Sequence, residues 1–221
     1  MMEREMRRQI EAVIFDLDGT LIDTEKYYVR LGVEVAKEMG YDIPWEVILS
    51  LRSLNRKFSK PRLRELYGED FDFDYFHRTR KERFANLLKE QGIEKKPGAD
   101  EILNYLRENK YRIAVATATD IERAESYLKE IHIYEKFDKI ISVSNVPNGK
   151  PMPDVYLEAC RQIKKQPERC LAVEDSDNGV RSAYGAGMRV VMVPDLAPPT
   201  EEVKPMIYGM ADTLLEIKDF L

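Results

Sequence analysis

The chain has 221 residues and a net charge of -5, enough for one domain with a large insertion or for two small domains. Its 43% hydrophobic and 34% charged content is that of a soluble globular protein. The acidic balance argues against nucleic acid as the main partner. No apolar run approaches the roughly 20 residues of a membrane span.

The first ten residues, Met1 to Ile10, mix acids and bases without an apolar stretch. That argues against a secretory signal and for a cytoplasmic protein. Cys160 and Cys170 are the only cysteines. They lack metal-ligand spacing and read as small core residues in a reducing compartment.

The first predicted strand, Glu11 to Phe15, runs straight into Asp16-Leu-Asp-Gly-Thr20. It therefore ends on two carboxylates one residue apart, Asp16 and Asp18. Two like charges at 4 Å repel by about 4 kcal/mol at an effective dielectric near 20. A divalent cation between them, or a proton on one, makes the pair tolerable. Both conditions belong to phosphoryl-transfer chemistry. Gly19 lets the chain turn away sharply, and Thr20 supplies a hydroxyl.

From Thr24 to about Lys95 only helical periods occur. Thr24 is expected to cap a helix that carries Tyr28, Leu31, Val35 and Met39 on one face and stops at Gly40. A second helix follows Pro44, around Trp45 to Leu54. A third covers about Pro61 to Tyr67. A fourth carries Phe76, Phe84, Leu87 and Leu88 and ends at Gly92.

Beyond this module the pattern alternates strand and helix, as in a parallel sheet with crossovers. Strands are expected at Arg112–Ala116, Lys139–Val143, Cys170–Val173 and Arg189–Val193. Thr119 and Glu122 read as a capping box. Pro153 reads as a first helical residue, Asp177 as a helix cap, and Gly187 as a helix terminator. The chain thus predicts a Rossmann-like core, residues 1–23 and 96–221, interrupted by an all-helical insert, residues 24–95.

Ligands of open parallel sheets bind at the carboxyl ends of the strands. Those ends carry Asp16 and Asp18, Thr117, the loop around Lys150, and Glu174 with Asp175. Phosphoryl transfer needs such a set: a nucleophile, a proton donor, a metal cage and cations for the equatorial oxygens. His77 and His132 stand alone and read as surface or packing residues. No P-loop, nucleophile elbow or dinucleotide fingerprint occurs.

The strings FDLDGTLIDTE, ATAT, GKPMPDVY and AVEDSDNGVRSAYGAGM resemble the four ordered motifs of the haloacid dehalogenase superfamily. They are most similar to its phosphatase and β-phosphoglucomutase branch. The resemblance spans nearly the whole chain, and the insert looks like that branch's helical cap. It implies Asp16 as the nucleophile that forms an aspartyl-phosphate and Asp18 as the general acid/base. Thr117 and Lys150 would bind the transferring phosphoryl group. Asp16, the Asp18 carbonyl and Asp175 would hold Mg²⁺, with Glu174 binding directly or through water.

Gly19, Thr20 and Ala118 would line the substrate site. Arg56 and Lys81 match cap residues that contact a second phosphate, and Arg52 is a weaker candidate of that kind. The mutase pattern has a histidine where this chain has Tyr28, and a glycine where it has Ser53. The resemblance therefore implies a phosphatase of a small phosphorylated metabolite, with a sugar phosphate expected. β-Phosphoglucomutase is the alternative. A dehalogenase or a phospho-receiver domain fits less well, since neither explains Asp18. The expected partner is the small-molecule substrate, with the protein a monomer or weak homodimer that binds neither nucleic acid nor membrane.

Overall fold

The computed structural model describes residues 10–221, so the charged segment before Ile10 lies outside the described residues. Six parallel strands form one sheet: β1 (Ala12–Phe15), β2 (Arg112–Thr117), β3 (Lys139–Ser142), β4 (Cys170–Glu174), β5 (Arg189–Met192) and β6 (Gly209–Met210). Their order is β3-β2-β1-β4-β5-β6. The order reverses its direction at β1, so β1 is central and its carboxyl end opens at the switch point where ligands bind. All four β1 residues are buried, as expected for a parallel strand covered on both faces. β6 has only two residues, too few to show an alternation that sequence reading could find.

Four helices follow β1 without an intervening strand: α1 (Glu25–Glu38), α2 (Trp45–Leu49), α3 (Arg56–Tyr67) and α4 (Phe73–Gln91). They enclose their own apolar core, with Val29, Val35, Ile48, Leu63, Phe71, Phe73 and Phe76 buried together. The remaining helices are α5 (Ala99–Glu108), α6 (Ile121–Glu130), α7 (Asp154–Ile163) and α8 (Asp177–Gly185). One face of the sheet packs on Leu103, Leu106, Leu128 and Ile217. The other packs on Val155, Ala159, Val180 and Ala183. Cys160 and Cys170 are buried free thiols within this second layer. Among the described residues no helix is long and apolar enough to cross a membrane.

Several local expectations are corrected. α2 ends at Leu49 rather than Leu54, and the chain then turns through an irregular segment toward the sheet. α3 begins at Arg56, five residues before Pro61, because the Asn55 side chain accepts the Lys57 amide and caps it there. α4 begins at Phe73, capped by Asp72. Pro153 occupies the N-cap position of α7, one residue before the helix. Ser176, not Asp177, caps α8. Asp177 is the first helical residue and accepts the Thr200 hydroxyl at 2.6 Å. The glycine stops hold: Gly40, Gly92 and Gly187 all have positive φ just past their helices.

Candidate active site

The loop after β1 carries the two aspartates. Asp16 is 1% exposed. Its Oδ1 accepts the Lys150 ammonium at 2.5 Å, and its Oδ2 is buried without a hydrogen-bond partner. The turn beyond needs Gly19. Its φ is 84°, and a Cβ there would lie 2.6 Å from Asp175 Oδ2. The Gly19 amide donates to the Ile22 carbonyl and the Thr20 hydroxyl reaches Asp175 at 3.5 Å. Both residues therefore shape the aspartate loop, whereas Ala118 lines the cleft itself.

Asp18 is gripped from two sides. The Thr24 hydroxyl donates to its Oδ1 at 2.7 Å, and the Thr119 hydroxyl to its Oδ2 at 2.6 Å. This corrects both capping expectations. Thr24 and Asp120 hold the N-cap positions of α1 and α6, but neither side chain makes a capping bond. Sequence reading missed this clamp because a threonine beside a helix start is ordinarily a cap. Thr117 sits at the end of β2, 1% exposed, and accepts the Thr119 amide at 3.0 Å.

Lys150 is completely buried. It donates to Asp16 and, at 2.6 Å, to Glu174 Oε1. The Tyr156 hydroxyl donates to the same Glu174 oxygen at 2.7 Å, and the ammonium lies 5.1 Å from the Tyr156 ring centre. Burial works against the Lys150 charge, but Asp16 and Glu174 outweigh it and hold the pKa above the usual lysine value. Tyr156 was not foreseen as a site residue. A tyrosine in an apolar helical face reads as core, and only its hydroxyl partner reveals more.

Asp16, Glu174 and Asp175 each bring a carboxylate oxygen within 4.8 Å of the others, all buried. Burial raises Asp16 and Asp175 well above the ordinary aspartate range. Lys150 opposes this at Asp16, and Arg52 opposes it at Asp175. Such a cluster fits a divalent cation. The donors are all hard oxygens, and Asp16 Oδ2 is a free buried acceptor. Both Glu174 oxygens already accept protein donors, from Lys150 and Tyr156 on one side and from the Asp175 amide and Ser176 on the other. Arg52 reaches across from the helical insert to donate to Asp175 Oδ2 at 2.9 Å, with both side chains buried.

Asp16, Asp18, Thr117 and Thr119 border a cleft of about 290 Å³ between sheet and insert. Glu25 lines it beside Asp18, and burial, then Asp18, pushes its pKa up to about 8. The insert also supplies Tyr28, Ser53, Arg56, His77, Arg80 and Lys81 to the walls. Arg56 pairs with Asp74, and Lys81 bonds across the cleft to Asp120 of the core at 2.5 Å. His77, expected to be a bland surface or packing residue, stacks on Phe73 and faces the cleft. His132 is exposed just beyond α6 and lies apart.

A parallel sheet whose central strand delivers two aspartates to a switch-point cleft, opposite a buried lysine and a buried acidic pair, defines a phosphoryl-transfer enzyme. The sequence profile of the haloacid dehalogenase-like hydrolases matches residues 13–193, and the chain belongs to that family. Protein CbbY of Cereibacter sphaeroides is 34% identical over 216 residues, covering 94% of this chain and 92% of its own. The phosphorylated carbohydrates phosphatase of Thermotoga maritima is 31% identical over 183 residues, covering 81% and 82%. Among solved structures, the β-phosphoglucomutase of Clostridium difficile superposes with a TM-score of 0.78 at 26% identity, covering 95% of this chain and 93% of its own. The chain is an enzyme of the phosphatase and phosphomutase branch.

Proposed function

We propose that this chain is a Mg²⁺-dependent phosphohydrolase of a small phosphorylated metabolite, a sugar phosphate by kinship with its relatives. The observation that carries the reading is Asp16. One of its oxygens is neutralised by Lys150, the other is buried and unpartnered, and the carboxylate lies within 4.8 Å of those of Glu174 and Asp175. A carboxylate so placed has a lone pair to offer to phosphorus and a partner that absorbs its charge.

In this reading an Asp16 oxygen attacks phosphorus. The bond from phosphorus to the sugar oxygen breaks, and Asp18 protonates that leaving oxygen. Water then attacks the aspartyl-phosphate, giving a proton to Asp18 as the Asp16–phosphorus bond breaks and phosphate leaves. Thr117 donates its hydroxyl to the phosphoryl oxygens, and Lys150 offsets the negative charge. Mg²⁺ would supply charge neutralisation between nucleophile and phosphate, held by Asp16, Asp175 and the Asp18 carbonyl. Glu174, its oxygens engaged, contributes through water.

Residues 24–95 form the cap that shuts the cleft from bulk water, with residues 1–23 and 96–221 as the catalytic core. Arg56 and Lys81 sit where a cap would meet the substrate's far end. The mutase alternative requires a sugar hydroxyl to outcompete water at the aspartyl-phosphate. Tyr28, a phenol engaged edge-on with the Phe84 ring at 5.2 Å where the mutase pattern has an imidazole, disfavours it.

The test is a panel of phosphorylated metabolites assayed for phosphate release and for isomerisation separately. Phosphate release from at least one sugar phosphate, dependent on Mg²⁺, is expected. Bisphosphate-primed conversion of β-glucose 1-phosphate to glucose 6-phosphate, much faster than phosphate release, would decide for the mutase.

A further inference from the structure

Glu174 ends β4 completely buried, and both of its oxygens are held, each by two donors. Oε1 accepts the Lys150 ammonium at 2.6 Å and the Tyr156 hydroxyl at 2.7 Å. Oε2 accepts the Asp175 amide at 3.2 Å and the Ser176 hydroxyl at 3.3 Å. An ionised carboxylate offers about four lone-pair positions, so protein donors use them all. The other two acids of the cluster differ. Asp16 Oδ2 has no partner, and Asp175 Oδ1 has only the long 3.5 Å contact from Thr20. The first turn of α8 closes on Glu174 from behind. A Cβ at Gly179 would lie 1.9 Å from its carboxyl carbon, so only glycine admits the carboxylate there.

Three of the four donors have other duties. Lys150 also donates to Asp16. The Asp175 amide belongs to the backbone that carries the next acid. The Ser176 hydroxyl also accepts the Gly179 amide and caps α8. Tyr156 serves Glu174 alone. It stands in the first turn of α7, just beyond the loop of Lys150, so one segment delivers both donors to one oxygen. The phenol is completely buried, and burial, then Glu174, keeps its proton on well above the ordinary tyrosine range. It is therefore a fixed, neutral donor. A buried tyrosine in a purely packing role needs only some acceptor; this one takes an oxygen of the acidic cluster.

We infer that Tyr156 is a positioning residue that keeps Glu174 out of direct contact with the metal, and so makes the site select Mg²⁺ over Ca²⁺. The inference rests on the metal-dependent reading of the site. Mg²⁺ demands an octahedron, binds through one or two carboxylates and keeps several waters, whereas Ca²⁺ takes about six to eight oxygens in a flexible shell. With Glu174 held back, the direct protein ligands are Asp16, Asp175 and the Asp18 carbonyl, and the rest is left to water. That set suits Mg²⁺. Without the Tyr156 hydroxyl, Oε1 regains a lone pair, and Glu174 becomes available as a further carboxylate ligand. Ca²⁺ accommodates such a ligand, and Mg²⁺ gains nothing from it.

Mg²⁺ and Ca²⁺ are titrated separately, by calorimetry, into the metal-free full chain. Wild type, Tyr156→Phe, Glu174→Gln and the double variant are compared. Loss of an outer-shell partner changes metal affinity by about 10- to 100-fold. Tyr156→Phe should therefore shift the ratio of Ca²⁺ to Mg²⁺ affinity toward Ca²⁺ by about tenfold or more. In the Glu174→Gln background the same substitution should shift it by less than about twofold, since a neutral amide adds no carboxylate. A packing role would weaken both metals alike, and in either background. If Tyr156→Phe lacks cooperative thermal unfolding, Tyr156→Met decides in its place, because its flexible thioether fills the space without the hydroxyl.

An unchanged metal ratio without the hydroxyl, or a shift that persists beside Glu174→Gln, overturns the inference. Phosphate release by the wild-type chain with Mg²⁺ is scored separately. Mg²⁺-dependent release with an unchanged ratio sinks the role of Tyr156 alone. A shifted ratio without any release sinks the phosphohydrolase reading and leaves that role standing. A wild-type chain that binds neither metal sinks the metal-dependent reading and this inference with it.

Discussion

Asp18 is held by two hydroxyls, Thr24 from the start of the helical insert and Thr119 from the core, at 2.7 and 2.6 Å. For Asp18 to deliver a proton to a leaving oxygen, its carboxyl must be aimed, and these bonds aim it. Hydrogen bonds to charged groups contribute about 1.5–3 kcal/mol. Thr119→Val should therefore lower kcat by roughly 10- to 100-fold with a smaller change in KM, read by steady-state phosphate release. An unchanged kcat would remove Thr119 from the acid/base apparatus. His77 gives a residue-scale prediction for stability. Its pKa of about 4 lies below the ordinary 6.5, so between those values the unfolded chain takes a proton that the folded chain refuses. The stability it contributes is complete above pH 6.5 and is lost as pH falls toward 4. His77→Phe should lose less stability than the wild type between pH 6.5 and 4.5, measured by urea unfolding. Equal losses would contradict the neutral, buried histidine. The aspartates, Lys150 and the Glu174-Asp175 pair were legible in the sequence because their chemistry is odd at strand ends. The threonine clamp and Tyr156 were not, since their residue types suit capping and core equally well.

The decisive element is the irregular segment between α2 and α3. It folds onto the sheet's carboxyl edge through backbone as well as side chains. The Asn55 amide donates to the Lys150 carbonyl at 2.9 Å, and the Asn178 side chain donates to the Ser50 and Arg52 carbonyls at 3.1 and 2.8 Å. Helical periodicity extended α2 to Leu54 because Leu51 and Leu54 continue its apolar spacing. The segment leaves the helix because its carbonyls find partners on the core instead. It carries Arg52 to Asp175. Removing one partner of a buried ion pair leaves an uncompensated charge and costs about 3–5 kcal/mol. Arg52→Leu should lower the metal-free melting temperature markedly, and added Mg²⁺ should recover part of the loss by compensating Asp175. Thermal unfolding with and without Mg²⁺ checks this. A variant as stable as wild type in chelator would show that the pair is not formed in solution.

At the scale of the molecule, two apolar cores, one around the sheet and one among four helices, meet at a cleft lined by charge from both. The alternation of strands and helices made the first core legible, and the run of helical periods made the second legible. What no local pattern carried is how closely they meet: Lys81 to Asp120, Lys57 to the Pro147 carbonyl and Arg52 to Asp175 all cross between them. These contacts describe a closed arrangement. Breaking them together, in Arg52→Leu/Lys57→Ala/Lys81→Ala, should raise the radius of gyration seen by X-ray scattering while the far-ultraviolet circular dichroism stays unchanged. Identical scattering from wild type and triple variant would show that closure does not depend on them.

In the proposed reaction Asp16 forms the covalent bond to phosphorus. The most direct measurement is phosphate release by purified Asp16→Asn in the presence of Mg²⁺, on the best sugar phosphate found for the wild type. Asparagine keeps the shape and removes the charge that attacks. Turnover should fall by several orders of magnitude while thermal unfolding stays cooperative. A folded Asp16→Asn enzyme retaining more than a tenth of wild-type turnover would contradict the account.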